Sequence, residues 1–213
     1  MSLSERSVAF TYAQVEAVLR ELHFIKADRG PAFASRLKHL KKLGFPKGVN
    51  VGKGQRVSYS GPQTWILALA FEFVQLGILP EKIVGGFTRD ARVLVHATAH
   101  ATVPMFHPSD PETDVTPTIL MFDPSSLSDL MDDRYFDTRD PAMRNFTFGG
   151  PDLATSALEG YFPSRRLSAI SLDRLLYDMG NAIDRILPGL KTDFLKSLAT
   201  WSDSHGAEEI IKV

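Results

Sequence analysis

The residues with the clearest chemistry form a basic segment near the start of the chain. Its cationic and polar members are Ser35, Arg36, Lys38, His39, Lys41, Lys42, Lys47, Lys53, Gln55, Arg56 and Tyr59. Duplex DNA presents one phosphate charge per about 1.7 Å of its axis, so a protein that binds it needs Lys and Arg side chains in clusters. The segment therefore predicts contact with a polyanion, and a solvated lysine-rich surface is the alternative.

Charge is distributed unevenly along the chain. Residues 1–60 hold 11 Lys and Arg against 4 Asp and Glu, a local charge of +7, whereas residues 110–160 hold 3 against 11, a local charge of −8. The net charge of the whole chain is only −1. A basic half joined to an acidic half is typical of a protein in which one end meets a polyanion and the other does not.

The first element that must position the basic residues is a helix. Its apolar positions recur at the helical period: Phe33, Leu37, Leu40 and Leu43. Pro31 suits the first turn of such a helix, and Gly44 suits the position just past its end. At about 100° per residue, Lys38 and Lys42 lie opposite the apolar stripe. The flanks of that face carry Arg36, His39 and Lys41.

A short β-hairpin is predicted after this helix. Val49 and Val51 alternate with polar residues, Gly52 to Gly54 turn the chain, and Arg56 to Tyr59 return it. The hairpin would carry further cations beside the helix.

The neighbouring segments predict helices on either side. Thr11 and Gln14 form a capping box before an apolar pattern over residues 12–23. The segment from Pro62 to Leu76 is apolar nearly all round and should be buried from more than one side. A short helix is predicted to begin at Pro80.

This order of elements is that of a winged helix-turn-helix. The segment Gly52–Val84 resembles the wing and following helices of MerR-type transcription regulators. In that family a basic, Gly-containing wing ends in an Arg-x-Tyr element, and a long helix leads to a glycine and a short helix rich in Glu and Ile. The matching positions are Arg56, Tyr59, Gly77, Glu81 and Ile83. The resemblance implies that Arg56 and Tyr59 contact the DNA backbone, although Arg56 and Tyr59 are one residue farther apart than in the family.

The basic residues divide into two expected roles. On the helix, Arg36 can bind guanine with two hydrogen bonds, and base edges or phosphates are within reach of Lys38, His39 or Lys42. On the wing, flanking phosphate would be held by Lys47, Lys53, Gln55 and Arg56. Which helix enters the groove stays open, since the same helix can also present Ser35 with Lys42.

A metal-dependent enzyme is one alternative. His96 and His100 are four residues apart in a stretch that could be a helix or a strand. On a helix they would share one face, where imidazoles can bind a metal; on a strand they would be about 13 Å apart, which is too far for one ion. The residues between them are Ala-Thr-Ala, so the glutamate of the H-E-x-x-H pattern is absent. Another alternative is an architectural, excisionase-like DNA-binding protein in which bending matters more than regulation. We expect no enzymatic activity, no cofactor and no bound metal.

The second half predicts a small α/β or α+β domain. Strands are expected near Thr118–Phe122, Arg144–Phe148 and Arg166–Ile170. Ser171 should cap an amphipathic helix that stops before Pro188, a last helix should follow, and the residues after it are expected to be loose.

The sequence thus predicts a mainly helical winged helix-turn-helix domain over residues 1–90, a linker region over 91–117, and an α/β dimerisation or effector domain over 118–213. The expected partners are double-stranded DNA, a second copy of the chain in a homodimer, and an effector or protein bound by the second domain. The 213 residues contain no cysteine and no apolar run near the 20 or so residues of a membrane span. We therefore expect a cytoplasmic, nucleoid-associated protein.

Overall fold

A computed structural model describes residues 8–49, 57–106, 116–127, 146–156, 167–204 and 206–213. The helices are α1 (Tyr12–Leu22), α2 (Gly30–Lys42), α3 (Gly61–Gln75), α4 (Pro80–Arg89), α5 (Ala91–Phe106), α6 (Pro151–Ser156), α7 (Leu172–Ile186) and α8 (Lys191–Ser202). The strands are β1 (Ala9–Thr11), β2 (Ser58–Ser60), β3 (Ile119–Phe122), β4 (Phe146–Gly149) and β5 (Ser168–Ser171). The protein is mainly helical with small antiparallel sheets.

Three helices begin directly after a strand, at a hydroxyl side chain. Thr11 accepts a hydrogen bond from the backbone N–H of Gln14, and the Gln14 side chain accepts one from the backbone of Thr11. Ser60 and Gln63 form the same reciprocal pair at the start of α3. These capping boxes satisfy amides that the first helical turn leaves without partners. The predicted starts of α1 and α3 are confirmed, as is the Ser171 cap of α7.

The first sheet corrects the predicted hairpin. Strand β2 pairs antiparallel with β1, with Tyr59 opposite Phe10, so its described partner is the N-terminal strand and not the segment near Val49. Val49 is buried, and the rest of the predicted turn, residues 50–56, lies outside the described residues. The predicted return segment, Arg56 to Tyr59, overlaps β2, but local sequence could not show that a strand 49 residues away supplies the pairing edge.

Helix α3 lies at the centre of the core. Twelve of its 15 residues are buried, which confirms the prediction that this helix is covered on more than one side. Around it pack α1, α4 and α8. The buried ring of Phe73 contacts the rings of Phe87, Phe122 and Phe146, with centroids 5.2, 4.4 and 5.5 Å away. This aromatic cluster joins α3 and α4 to β3 and β4, so the two halves of the chain share one hydrophobic core.

The second sheet has the order β4-β3-β5, with Leu120 opposite Phe148 on one side and Ile170 on the other. All three predicted strands are confirmed within two residues. Helix α7 packs on α1, and α8 packs on α5 and α3.

The segment predicted as a linker is helical in its described first part. Residues 91–106 form α5, with eight buried positions that pack against α8, α7 and β4. This stretch is rich in alanine and other apolar residues, which is compatible with a helix. Packing of these residues against the core stabilises the helical conformation. Boundaries at residues 90 and 118 remain a prediction, and residues 107–115 lie outside the described part.

The residues after α8 are not loose. A 3-10 turn forms over Ala207–Ile210, and Ile211 is fully buried. The Trp201 indole N–H donates to the carbonyl of Ala207 at 2.9 Å. The buried Ile211 side chain anchors this segment to the core. The local sequence pattern does not reveal this contact, which is why the segment was expected to be loose. Within the described residues, no helix has the length and apolar character needed to cross a membrane.

Candidate nucleic-acid interface

Helix α2 presents one apolar and one basic face. Phe33, Leu37 and Leu40 are buried against the core. The helix contains no acidic residue, because its sequence is GPAFASRLKHLKK. Its exposed side chains include Ser35, Arg36, Lys38, His39 and Lys42, and Lys41 is partly buried. The structure therefore brings the predicted helical site residues together on one solvent-facing side.

His39 connects this face to α4. Its Nε2 atom lies 2.7 Å from Oε1 of Glu81, and both side chains are about half exposed. Glu81 occupies the first turn of α4, where its carboxylate accepts a hydrogen bond from its own backbone amide. That bond, and secondarily the hydrogen bond with His39, lowers the pKa of Glu81 below its ordinary value. His39 is thus a neighbour of a carboxylate as well as of the cations on α2.

The loop after α2 has a fixed path. Gly44 has a φ of +80°, which a residue with a Cβ rarely adopts, and this confirms its predicted place just past the helix. The Gln63 side chain donates to the carbonyl of Lys47 at 2.8 Å, so the α3 cap also holds the loop. The Lys47 ammonium is 57% exposed and lies 3.8 Å from Oε2 of Glu209. The Lys47 side chain is therefore accessible to a ligand and lies beside the carboxylate of Glu209, in the 3-10 turn Ala207–Ile210.

The predicted wing residues fall into two groups. Lys53, Gln55 and Arg56 lie outside the described residues. Tyr59 is in β2 and only 1% exposed, with its ring 6.5 Å from that of Tyr12. Burial raises the pKa of Tyr59 to about 12. In this position the side chain packs in the core and does not reach a phosphate, because the period-2 alternation of β2 turns it inward.

His96 and His100 are exposed on α5 and line a cavity of about 560 Å³ between α5, α8 and β4. Nδ1 of His100 lies 2.8 Å from the buried hydroxyl of Thr118, whose backbone N–H donates to Asp173. Burial raises the pKa of Asp173. Within the described ranges, no three His, Asp or Glu side chains are grouped so that they could hold a metal ion.

Sequence reasoning missed the carboxylates that accompany the basic residues. Glu81 and Glu209 lie 42 and 162 residues from their partners His39 and Lys47, and no local spacing connects them.

No protein-family model, curated protein or solved structure matches this chain.

Proposed function

We propose that the protein is a sequence-specific, DNA-binding transcriptional regulator that inserts α2 into the major groove. The observation that carries this proposal is the absence of any acidic residue in α2 together with the exposure of its basic face. A helix with its side chains fits the width of the major groove, and a polyanion favours a helix face without carboxylates.

The packing of α2 supports the same role. Phe33, Leu37 and Leu40 fix the inner face against the core, so the outer face is presented on a rigid element. Helix α1 precedes α2 and packs against it, with residues 23–29 as the connection. Two packed helices with the second one exposed support a role in which the second helix reads DNA, although the seven-residue connection is longer than the usual turn of three to four residues.

Roles follow from side-chain chemistry. Arg36 provides the planar fork that pairs with guanine, whereas Lys38 and Lys42 act as point charges toward phosphates. His39, bonded to Glu81, lies on the flank of the same face. The proposal includes a homodimer, because one domain of this size buries too little DNA surface for strong specificity and a dimer doubles the contact.

The test is selection of bound duplexes from a random pool, followed by affinity measurement across salt concentration. Arg36→Ala with Lys38→Ala should weaken binding at least about tenfold and reduce the salt slope by about 1 to 2. Arg174→Ala with Lys196→Ala is the matched control, since it removes the same charge from exposed positions on α7 and α8. The proposal would be wrong if the wild type binds no duplex at low salt, or if the variant with Arg36→Ala and Lys38→Ala binds with full affinity.

A further inference from the structure

A second group of cations lies beyond α2, where α4 joins α5. There a cavity of about 250 Å³ is lined by Arg89, Asp90, Ala91, Arg92, Val93 and Lys212. Three of these six residues are cationic and one is acidic. The Arg92 side chain is 75% exposed. The cavity is therefore open to solvent and has room for a phosphate-sized group.

This cavity is joined to the carboxyl end of α2. Gly44 follows α2 by two residues, and a Cβ atom there would lie 3.1 Å from Cγ1 of Val213. The backbone N–H of Lys47 donates to the carbonyl of Ile210 at 2.9 Å. The segment that carries Lys212 consequently lies against the loop that carries Lys47.

A shared carboxylate places Lys47 and Lys212 side by side. Oε2 of Glu209 lies 3.8 Å from the Lys47 ammonium, and Oε1 of the same group lies 3.5 Å from the Lys212 ammonium. Glu208 repeats the pattern, with Oε1 3.4 Å from both Nε of Arg92 and Nζ of Lys212. Cations and carboxylates thus alternate in one row from the end of α2 to the start of α5.

Glu209 holds Lys47 weakly, because exposed ion pairs typically contribute about 0 to 1 kcal/mol and both side chains are more than half exposed. The Glu208 side chain is only 17% exposed, so solvent screens its contacts less, but its partner Arg92 is 75% exposed and accessible to a second anion. A phosphodiester offers the same cations charge-assisted hydrogen bonds of the same kind, and its neutralisation releases counterions. Phosphate can therefore replace carboxylate along the row.

We propose that Lys47, Lys212 and Arg92, with Arg89 at the cavity wall, form a second phosphate-binding row for duplex DNA that extends the contact of α2. In the free protein, Glu208 and Glu209 pair with Lys47, Lys212 and Arg92. The inference rests on the proposed function. It adds Arg89, Arg92 and Lys212, which lie outside the basic segment in sequence, to Lys47, which belongs to it.

The proposal predicts opposite changes in duplex affinity when cations and when carboxylates of the row are removed. Arg92→Gln with Lys212→Gln should weaken duplex binding about tenfold at low salt and lower the salt slope by about 1 to 2. Glu208→Gln with Glu209→Gln should strengthen it by a similar factor, because the cations no longer have to be freed. A structural role alone would not increase affinity. Glu209→Gln, at a 61% exposed side chain, provides a milder version that leaves the Glu208 contacts in place.

Matched controls separate the row from overall charge. Arg174→Gln with Lys196→Gln removes two cations, and Asp178→Asn with Asp193→Asn removes two carboxylates, from α7 and α8, whose main partners are α1, α3 and α5. Each control should change affinity less than about twofold. Circular dichroism melting confirms that every variant is folded at the temperature of the assay.

The outcomes distinguish the two proposals. A folded wild type that binds no duplex overturns the proposed function. Duplex binding that needs Arg36 and Lys38 but is unaffected by the variants of Arg92, Lys212, Glu208 and Glu209 overturns only the second row. The last experiment is titration with inorganic phosphate, followed by NMR. Phosphate binding that is millimolar or tighter and requires Arg92 and Lys212 would indicate a small-anion site. If duplex affinity is also unchanged in the Arg92 and Lys212 variants, this site replaces the proposed DNA contact.

Discussion

Nε2 of His39 and Oε1 of Glu81 lie 2.7 Å apart, so the basic face of α2 is connected to the first turn of α4. Two effects lower the pKa of Glu81: the hydrogen bond from its own backbone amide, which is the larger, and the partnership with His39. The contact with Glu81 also limits how far the His39 ring can turn away from α4.

His39→Ala should raise the pKa of Glu81 only part of the way to its ordinary value, because the backbone hydrogen bond remains. Since the folded-state pKa is lowered, the contribution of Glu81 to stability is complete above the ordinary carboxyl pKa and is lost as the pH falls through the lowered value. Carboxyl carbon NMR titration of both proteins measures the shift. An unchanged pKa in the variant would contradict the role assigned to His39.

Tyr59→Phe should remove a pH dependence of stability at alkaline pH. Burial raises the Tyr59 pKa from 10 to about 12, so its contribution is complete below pH 10 and is lost as the pH rises through 12. The free energy of unfolding of the wild type should fall by on the order of 2 kcal/mol more than that of the variant across this range. Denaturant unfolding at several pH values measures it.

The same variant tests the position of Tyr59 relative to DNA. A buried hydroxyl makes no phosphate contact, so duplex affinity should be the same for Tyr59→Phe and wild type. Tyr177→Phe, at a 52% exposed ring, should retain the alkaline pH dependence. A loss of duplex affinity in Tyr59→Phe would restore the backbone-contact role.

Two adjacent glycines in α4 should respond in opposite directions to alanine. A Cβ at Gly86 would lie 2.8 Å from Cδ2 of Leu127, and near Phe146, so Gly86→Ala should destabilise the protein by about 1 to 3 kcal/mol. A Cβ at Gly85 meets no atom within 4 Å, and Gly85→Ala should stabilise the helix by up to about 1 kcal/mol. Thermal melting compares them, and equal effects would mean that α4 does not pack against the second half as described.

Phe73→Ala should destabilise both halves of the protein together. Its ring contacts Phe122 and Phe146 as well as Phe87, and removal of a buried Phe side chain costs about 3 to 5 kcal/mol. Unfolding followed by the fluorescence of Trp65 and Trp201 and by far-ultraviolet circular dichroism should then remain a single transition at a lower midpoint. Phe24→Ala, at an 83% exposed ring, is the control and should change stability by less than about 0.5 kcal/mol. Two separated transitions would support independent domains.

Local signals predicted most elements of the fold. Thr11 with Gln14, Ser171 and Gly44 all mark helix ends through their own hydrogen bonds or backbone angles, which depend on neighbours a few residues away. The apolar stripe of α2 predicted its buried face in the same way. Such features can be predicted from the sequence because the groups that interact are only a few residues apart.

Long-range relationships could not be predicted from these signals. The pairing of Tyr59 with Phe10, the contact of Glu209 with Lys47, and the burial of Ile211 each depend on packing between distant segments. Tyr59 illustrates how this affects prediction of the site. A tyrosine can contact phosphate, but pairing of β2 with the N-terminal strand turns this side chain into the core.

Helix α3 has a consequence for the tolerance of the chain to sequence change. Because all residues of α3 except Gln63, Glu72 and Gln75 are buried, polar substitutions have few positions at which they would be harmless. A complete substitution scan should therefore show intolerance that continues through α3 without the helical period, whereas tolerance in α7 should alternate between Leu176 and the exposed Tyr177 side. We therefore expect mutations in α3 to act through folding and stability, whatever ligand the protein binds.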